Sequence, residues 1–481
     1  MHKHLMIMLV PFLLGGCMMG PDYVRPHSET PIAWRISDRD AKDLANTVWW
    51  EQFNDPVLNE LVATALRENK DLLIAAARVE EFAGNYGFVR SGLFPQIGAG
   101  YEPSRQRDLS AVVIGNSSGS IYNSYSATLN ASWEIDIWGR IRRQTESARA
   151  QLLASEEGRR GVILSLVGSV SGAYINLRDL DRQLEIAQST AKSRGESHEI
   201  FKLRFSGGVI SLLELSQNRS QYEEALATIP PIEKAIAQQE NGLSVLLGRN
   251  PGPIVRGRNI DQLTLPAVPS GLPSELLERR PDIRRAEQNL IAANAQIGAA
   301  KAAYFPSISL TGFLGSSSSS LNNLFESQSK VWKYGAPITV PIFTAGALSG
   351  QLQAAEASQQ QALFAYQKAI QEAFREVNDS LINQDRTREQ LKAQKRQVDS
   401  LQQYASTARL RYENGYTSYI EVLDAERALF NAQLQYTQTQ QVQMQAMINL
   451  YLAMGGGWVN AAEKMTNVSL NQPGDRAPGA R

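Results

Sequence analysis

The sequence has few of the residues that most catalytic and metal sites require. Its 481 residues include one cysteine and four histidines. A single cysteine excludes a disulfide framework within the chain. Only His27 and His198 lie beyond the first four residues, and neither has another His or Cys at metal-ligand spacing. Phosphate-binding loops and nucleophile-elbow motifs are missing as well. We therefore expect a protein that is not an enzyme and that binds no metal.

Neither sign of charge dominates, and long apolar runs are missing from most of the chain. Lys plus Arg and Asp plus Glu both total 48, so the formal net charge is zero. A nucleic-acid partner would favour a basic surface, and this balance argues against one. Beyond the first seventeen residues, no run of eighteen consecutive apolar residues predicts a transmembrane helix.

The one cysteine closes an apolar segment at the N-terminus. Residues 5–14 form an apolar run that is too short to span a membrane and is typical of a signal peptide. The run leads into Gly15-Gly16-Cys17, which resembles the lipoprotein box in which the cysteine is lipidated and becomes the new N-terminus. An ordinary secretory signal with a chance cysteine is the alternative, but Cys17 has no disulfide partner. We expect a signal peptide at 1–16, a lipidated tether at 17–55 and no cofactor besides this covalent lipid. Met18, where a retained lipoprotein would have Asp, predicts the outer membrane.

Three short sequence segments within residues 71–220 recur about 210 residues later. The recurring pairs are Asp71-Leu72-Leu73 with Asp282-Ile283-Arg284, Leu93-Phe94-Pro95 with Tyr304-Phe305-Pro306, and residues 204–211 with residues 411–418. This period is too long for a solenoid, so the pattern predicts a tandem duplication. We expect a first repeat at 56–270, a second at 271–457 and a disordered tail at 458–481.

Long helical patterns fill most of each copy. The pattern over residues 346–412 predicts a helix of roughly 100 Å, which needs lateral partners. Within this helix, residues spaced seven apart are apolar except for Gln384, which predicts a narrow packing seam. The eight positions are Leu363, Ile370, Val377, Gln384, Leu391, Val398, Ala405 and Tyr412. Pro230-Pro231 is expected to kink or split the helix that contains it. Helices alone would also suit a soluble coiled-coil rod.

Four segments have β-strand character, at about 95–106, 124–137, 305–314 and 332–343. Each has about the length that a tilted strand needs to cross a bilayer. Aromatic residues at their ends suit the membrane interfaces: Trp133, Trp138, Tyr101, Tyr122, Trp332 and Tyr334. An ordinary antiparallel sheet is the alternative. Unpaired strand edges are not tolerated in lipid, and four strands are too few to close a barrel. Three chains would supply twelve strands, and two chains would supply eight.

Several stretches together resemble the outer-membrane factor family of tripartite, RND-type efflux systems, in its OprM-like or NodT-type lipoprotein branch. They are Gly271-Leu272-Pro273-Ser274-Glu275-Leu276-Leu277-Glu278-Arg279-Arg280-Pro281-Asp282-Ile283, Tyr304-Phe305-Pro306-Ser307-Ile308, Val340-Pro341-Ile342-Phe343-Thr344-Ala345-Gly346, Trp133-Glu134-Ile135-Asp136-Ile137-Trp138-Gly139-Arg140 and Gly455-Gly456-Gly457-Trp458. The resemblance implies an α+β membrane protein, a homotrimer with a twelve-stranded outer-membrane β-barrel continued by a long periplasmic α-helical barrel.

The same resemblance implies a passive exit duct for small molecules such as drugs. Its partners would be a periplasmic adaptor protein, an inner-membrane RND-type transporter and outer-membrane lipid. An exit duct for type I protein secretion or metal efflux is the alternative within transport. A lipid-anchored coiled-coil spacer without a pore is the alternative from a different class.

The segment from residue 411 to residue 427 resembles the periplasmic gate of the family. Asn414-Gly415 is a turn signal between two helices. The resemblance implies that Asp424 and Ile420 form constriction rings, and the residues implied to hold the tip closed are Arg411, Tyr412 and Arg427. Leu213 and Gln217 occupy the corresponding places in the first repeat, so only the second repeat supplies an acidic ring. Ordinary solvated pairs near a turn are the alternative.

The two helix-hairpin tips are small and uncharged, which suits a docking rim for the adaptor. The candidate docking residues are Gly208, Val209, Ser211, Gly415, Thr417 and Ser418. The alternative is that both segments are simply turns.

Overall fold

The computed structural model describes residues 18–27, 31, 34, 47–108, 120–268, 275–455 and 457–466. The predicted signal peptide, Cys17, residues 28–30, 32–33 and 35–46 of the predicted tether, and residues 467–481 lie outside the described residues. The chain divides into two compact units. The strand unit comprises Met1–His27, Val79–Ser155 and Arg285–Tyr366, and the helix unit comprises Ser28–Arg78, Glu156–Arg284 and Gln367–Arg481.

The main helices occur twice, with the same lengths in both copies. In chain order the α-helices are α1 Pro56–Glu68, α2 Lys70–Ser91, α3 Arg140–Ser206, α4 Leu212–Leu246, α5 Leu276–Arg279, α6 Pro281–Ala302, α7 Ala347–Glu413, α8 Tyr419–Ala453 and α9 Val459–Glu463. Helices α2 and α6 each have 22 residues, α3 and α7 each have 67, and α4 and α8 each have 35. These matching lengths are what a duplicated unit would produce.

A side-chain cap begins each of the helices α1 and α2. Asp55 accepts a hydrogen bond from the Val57 N–H at 2.9 Å, and α1 begins at the next residue, Pro56. Asn69 has extended backbone angles and interrupts the helical pattern. Its Oδ1 accepts from the Leu72 N–H at 3.0 Å, which satisfies a free donor at the start of α2.

Helix α4 runs unbroken through Pro230 and Pro231. Of the two predicted effects, a kink or a split, the split is therefore wrong. Each proline removes its own N–H donor from the helical ladder, and its ring crowds the carbonyl four residues before it. Burial compensates here, because Ile232 packs with Ala187 and Phe430 in one apolar cluster.

The strands form one antiparallel sheet within the strand unit. They are β1 Gln96–Asp108, β2 Ser120–Ile135, β3 Ser307–Ser318, β4 Lys330–Gly335 and β5 Ile338–Thr339. The order is β1-β2-β3-β4, and β5 also pairs with β3. The β2–β3 pairing joins the two copies, with Leu129 opposite Leu314. Among the described residues, both edges of the sheet are unpaired. Strand β1 forms one edge, and β4 and β5 form the other.

The fourth predicted strand, at 332–343, is wrong as one continuous element. The structure instead has β4 and β5, with Pro337 between them. Proline has no N–H to donate to a strand ladder, so pairing breaks there. Its carbonyl still accepts a hydrogen bond from the Ser309 N–H at 3.1 Å.

Aromatic side chains at the sheet fall into two groups. Trp332 and Tyr334 are exposed and stack on each other, with ring centroids 5.5 Å apart. Trp133 and Trp138 are half-buried, and their indole N–H groups donate to the carbonyls of Leu93 and Pro306 respectively at 3.0 and 2.8 Å. Exposed aromatic rings at strand ends are typical of membrane interfaces.

The predicted packing seam of α7 is confirmed by burial, since none of its eight positions is exposed. One described helix, α3, contains an 18-residue window apolar enough to cross a membrane, but 56% of that window is buried inside the protein. A core helix passes the same test, so burial accounts for the apolar window of α3.

An aromatic cluster forms part of the core of the helix unit. Trp458 is fully buried and packs edge-on against Trp49 and Trp50. Trp49 also stacks on Tyr451 at 5.5 Å, and burial raises the pKa of Tyr451 to about 12. The predicted disordered tail at 458–481 is therefore wrong at its start, where Trp458 and α9 belong to the core.

Candidate functional site at the hairpin tips

Two helix hairpins, α3–α4 and α7–α8, end in similar tight turns. Gly208 and Gly415 lie in them with φ of 72° and 79°, a region that favours glycine. Their N–H groups donate to the carbonyls of Phe205 and Tyr412, each at 2.9 Å. The turn predicted at Asn414-Gly415 is therefore present, and the first repeat has its equivalent.

Behind the turns, the two hairpins share one apolar cluster. Its buried members are Phe201, Ala405, Ala408, Tyr419, Val422 and Ala425. The ring of Tyr419 lies 4.4 Å from that of Phe201 and 5.2 Å from that of Tyr412. Burial raises the pKa of Tyr412 above its ordinary value. In this structure Tyr412 packs the two hairpins together.

The charged residues of the candidate gate make short-range ion pairs. Arg427 contacts Asp424 at 3.2 Å on the same helix, and both side chains are more than half exposed. Arg411 contacts Glu421 at 3.6 Å across its own turn. Exposed pairs of this kind contribute about 0–1 kcal/mol each. Glu421 was not among the predicted gate residues, although its position three residues after Ser418 is typical of a capping acid.

Several large apolar side chains are exposed at the tips. Ile420, the predicted apolar ring residue, is 61% exposed. Val209, Leu212, Leu213 and Tyr416 are more exposed still. Clustered exposed apolar residues mark interaction surfaces. Tyr416 was not among the predicted docking residues, which were chosen for small size.

The two tips differ in their helix caps. Ser211 forms a capping box with Glu214: its Oγ accepts from the Glu214 N–H at 3.2 Å, and its own N–H donates to the Glu214 carboxylate at 2.9 Å. Ser418 makes no such side-chain bond. The equivalent acid, Glu421, instead accepts from the Thr417 hydroxyl and pairs with Arg411.

Replacing Ser211 by Ala should lower the local unfolding free energy of the first turn of α4 by about 1 kcal/mol, because a free N–H loses its acceptor. Ser418→Ala is the matched control and should change the first turn of α8 by less than about 0.5 kcal/mol. Hydrogen exchange of the amides in both turns measures the two effects. Equal losses at both tips would contradict this difference in capping.

Comparison with known proteins agrees with the geometry described above. The family described as "Outer membrane efflux protein" matches residues 61–249 and 272–456, one segment in each repeat. The chain is 38% identical over 476 residues to the toluene efflux pump outer membrane protein TtgF of Pseudomonas putida, covering 96% of this chain and 99% of TtgF. It is also 38% identical over 468 residues to the probable outer membrane lipoprotein SilC of Salmonella typhimurium, covering 93% and 97% of the two chains.

The fold is also that of a solved outer-membrane channel. The structure of OprN superposes with a TM-score of 0.85 at 29% identity, covering 92% of this chain and all of OprN. The alternatives of a soluble rod and of a spacer without a pore are therefore wrong. The chain has the strand-plus-long-helix fold of outer-membrane efflux channels and is located in the outer membrane. It belongs to the outer membrane efflux protein family.

Proposed function

We propose that the chain is the passive exit duct of a tripartite efflux pump for small organic molecules, including aromatic solvents and antibiotics. The observation that carries this proposal is the 38% identity to a toluene efflux pump protein over nearly the whole of both chains. No group of three or more His, Cys, Asp or Glu in the described ranges could hold a metal ion. Energy for export would come from the partner transporter.

A homotrimer is the assembly that best accounts for the sheet. In the part of the chain that the structure describes, the sheet has an unpaired edge at each side, and such edges are not tolerated in lipid. Three copies supply twelve main strands and enclose a lumen, whereas two copies supply eight, about the minimum for closure. Exposed Phe88 on α2 and Phe364 on α7 lie outside the strands and would be covered by neighbouring copies.

The hairpin tips would dock the periplasmic adaptor, which links the duct to an inner-membrane RND-type transporter. The candidate surface consists of the predicted tip residues together with the exposed apolar side chains beside them. Apolar contact suits this role because the tips carry few charges of their own. The charged residues nearby, Arg411 and Glu421, are already paired with each other.

The gate would lie one to two helical turns beyond the second tip. In a trimer, Asp424 and Ile420 would each repeat three times around the opening. Three like charges must be offset by nearby cations, and Arg427 is held beside Asp424 for that purpose. The exposure of Ile420 in a single chain is consistent with a side chain that faces its symmetry mates.

The lipid anchor would attach where the residues after Cys17 are held against the strand unit. The Met19 N–H donates to the Trp138 carbonyl at 3.1 Å, just beyond β2. The nearly fully buried Arg143 donates to the Met19 carbonyl at 3.0 Å and pairs with Asp22 at 2.8 Å. A lipid on Cys17 would therefore enter the membrane beside the base of the strands.

Deleting the gene should raise the intracellular accumulation of dyes, antibiotics and toluene, and complementation with the wild-type chain should restore the low level. A second complementing chain carries Val209→Asp and Tyr416→Asp, one charge at each tip. It should assemble but fail to restore export, because the tips could then not dock the adaptor. Unchanged accumulation for every organic compound, with defective protein secretion or metal tolerance instead, would favour the alternative cargoes and contradict this proposal.

A further inference from the structure

A buried polar network lies directly behind the candidate gate. Asn218 on α4 is 2% exposed, and its Oδ1 lies 2.9 Å from Nδ1 of His198 on α3. Its Nδ2 donates to the hydroxyl of Tyr419 on α8 at 2.7 Å and to Oγ of Ser197 at 3.2 Å. One carboxamide therefore joins three helices and both repeats.

The position of Tyr419 connects this network to the gate. Tyr419 is the first residue of α8, immediately before Ile420 and five positions before Asp424. Its ring is fixed by apolar packing on Phe201 and Tyr412, and its hydroxyl is fixed by Asn218. Together these contacts determine the depth and rotation of the first turn of α8, and hence the direction of the two gate side chains.

The network is better suited to holding the gate than the exposed ion pairs are. Losing an exposed pair changes an equilibrium by at most about fivefold. Removing one partner from a buried hydrogen bond leaves the other without a partner and changes an equilibrium by about 5- to 100-fold. Burial also raises the pKa of Tyr419 above its ordinary value, in keeping with the buried position of the hydroxyl that meets Asn218.

We infer that Asn218 is a positioning residue of the gate. Its hydrogen bond to Tyr419 holds the first turn of α8 against the α3–α4 hairpin in the closed channel, and opening breaks that bond. The inference rests on the proposed gate at Ile420 and Asp424. It adds a residue from the first repeat, which contributes no acidic ring of its own.

A second buried bond between the same two repeats provides a matched control. The hydroxyl of Thr437 on α8 donates to Oδ1 of Asp179 on α3 at 2.8 Å. Thr437 is 18 residues after Tyr419, which places it about 27 Å further along the helix. Loss of this bond loosens the contact between repeats without touching the gate.

The test is single-channel recording of the purified full-length trimer in planar bilayers. Tyr419→Phe and Asn218→Leu each remove three copies of the bond from the trimer and should each raise the open-to-closed ratio by at least about a hundredfold. The double variant should not exceed the larger single effect. Thr437→Val should leave the ratio within about twofold of the wild type, because the bond lies far from the gate. Tyr419→Phe removes one oxygen and keeps the ring packing, so it carries the test alone if Asn218→Leu fails to assemble.

Recording Asp424→Ala in parallel separates the inference from the gate proposal. If Asp424→Ala opens the channel and Tyr419→Phe does not, the role of Asn218 is overturned and the gate stands. If Tyr419→Phe opens it and Asp424→Ala does not, Asn218 keeps its role and the acidic ring is overturned. An equal effect of Thr437→Val would overturn the inference, because loosening anywhere between the repeats would then suffice.

Discussion

Replacing Arg280 by Met is expected to destabilise the protein by about 1–3 kcal/mol, because a buried guanidinium loses its hydrogen bonds to two half-exposed carboxylates and a buried carbonyl. The Arg280 side chain is nearly buried between three elements. It contacts Asp282 and Glu376, each at 2.7 Å, and donates to the carbonyl of Ala453 near the end of α8 at 3.0 Å. Methionine fills similar space but leaves both carboxylates and that carbonyl without their donor. Guanidinium unfolding of the purified protein at neutral pH measures the loss.

The neighbouring arginine supplies the control. Within the described ranges Arg279 pairs with Glu275 alone, at 3.0 Å. Arg279→Met should therefore cost about 0–1 kcal/mol. Equal destabilisation by the two variants would contradict the role assigned to Arg280.

The contact also predicts a dependence on acid. Burial raises the pKa of Asp282, but its hydrogen bond and ion pair with Arg280 outweigh burial and leave that pKa below its usual value. A carboxyl whose pKa is lower in the folded state than in the unfolded state stabilises the fold at pH values above its unfolded-state pKa. This stabilisation is lost as the pH falls through the folded-state pKa. The wild type should lose stability below about pH 4, and Arg280→Met should lose less there.

Local signals in the sequence were enough to predict the hairpins. Helical periodicity and the glycines at the turns gave elements whose copies match in length, because both signals act within a few residues. Pro337 is also a local signal, and giving it more weight would have divided the fourth strand. Pro230 and Pro231 predicted a kink or a break, but α4 is not split there. The neighbouring Ile232 packs in a buried apolar cluster, a long-range contact that favours the continuous helix.

The contacts that organise the candidate site are long-range and could not be read from spacing. Asn218 and Tyr419 are 201 positions apart, and nothing near either residue indicates their hydrogen bond. Trp458 looked like part of a tail because its partners, Trp49 and Trp50, lie at the other end of the chain. Arg280 belongs to a stretch that carried the family resemblance, but its partner Glu376 is known only from the fold.

Replacing Asp424 by Ala is expected to make the closed channel leaky. Each Asp424–Arg427 pair is exposed and contributes about 0–1 kcal/mol, so three pairs acting together contribute up to about 3 kcal/mol. Losing all three would raise the open-to-closed ratio by up to about a hundredfold. Preference for cations should fall as well, because three carboxylates leave the opening. Single-channel conductance and reversal potential in a salt gradient measure the two effects.

The duplication provides a control for this experiment at the equivalent position. Gln217 stands in the first repeat where Asp424 stands in the second, displaced by 207 residues. Gln217→Ala should leave both conductance and reversal potential unchanged, because an uncharged amide adds no charge to the opening. If Asp424→Ala behaves like Gln217→Ala, the acidic ring does not close the channel. The exposed Ile420 and the buried bond to Tyr419 would then be the remaining closing contacts, since both act through the first turns of α8 without requiring charge.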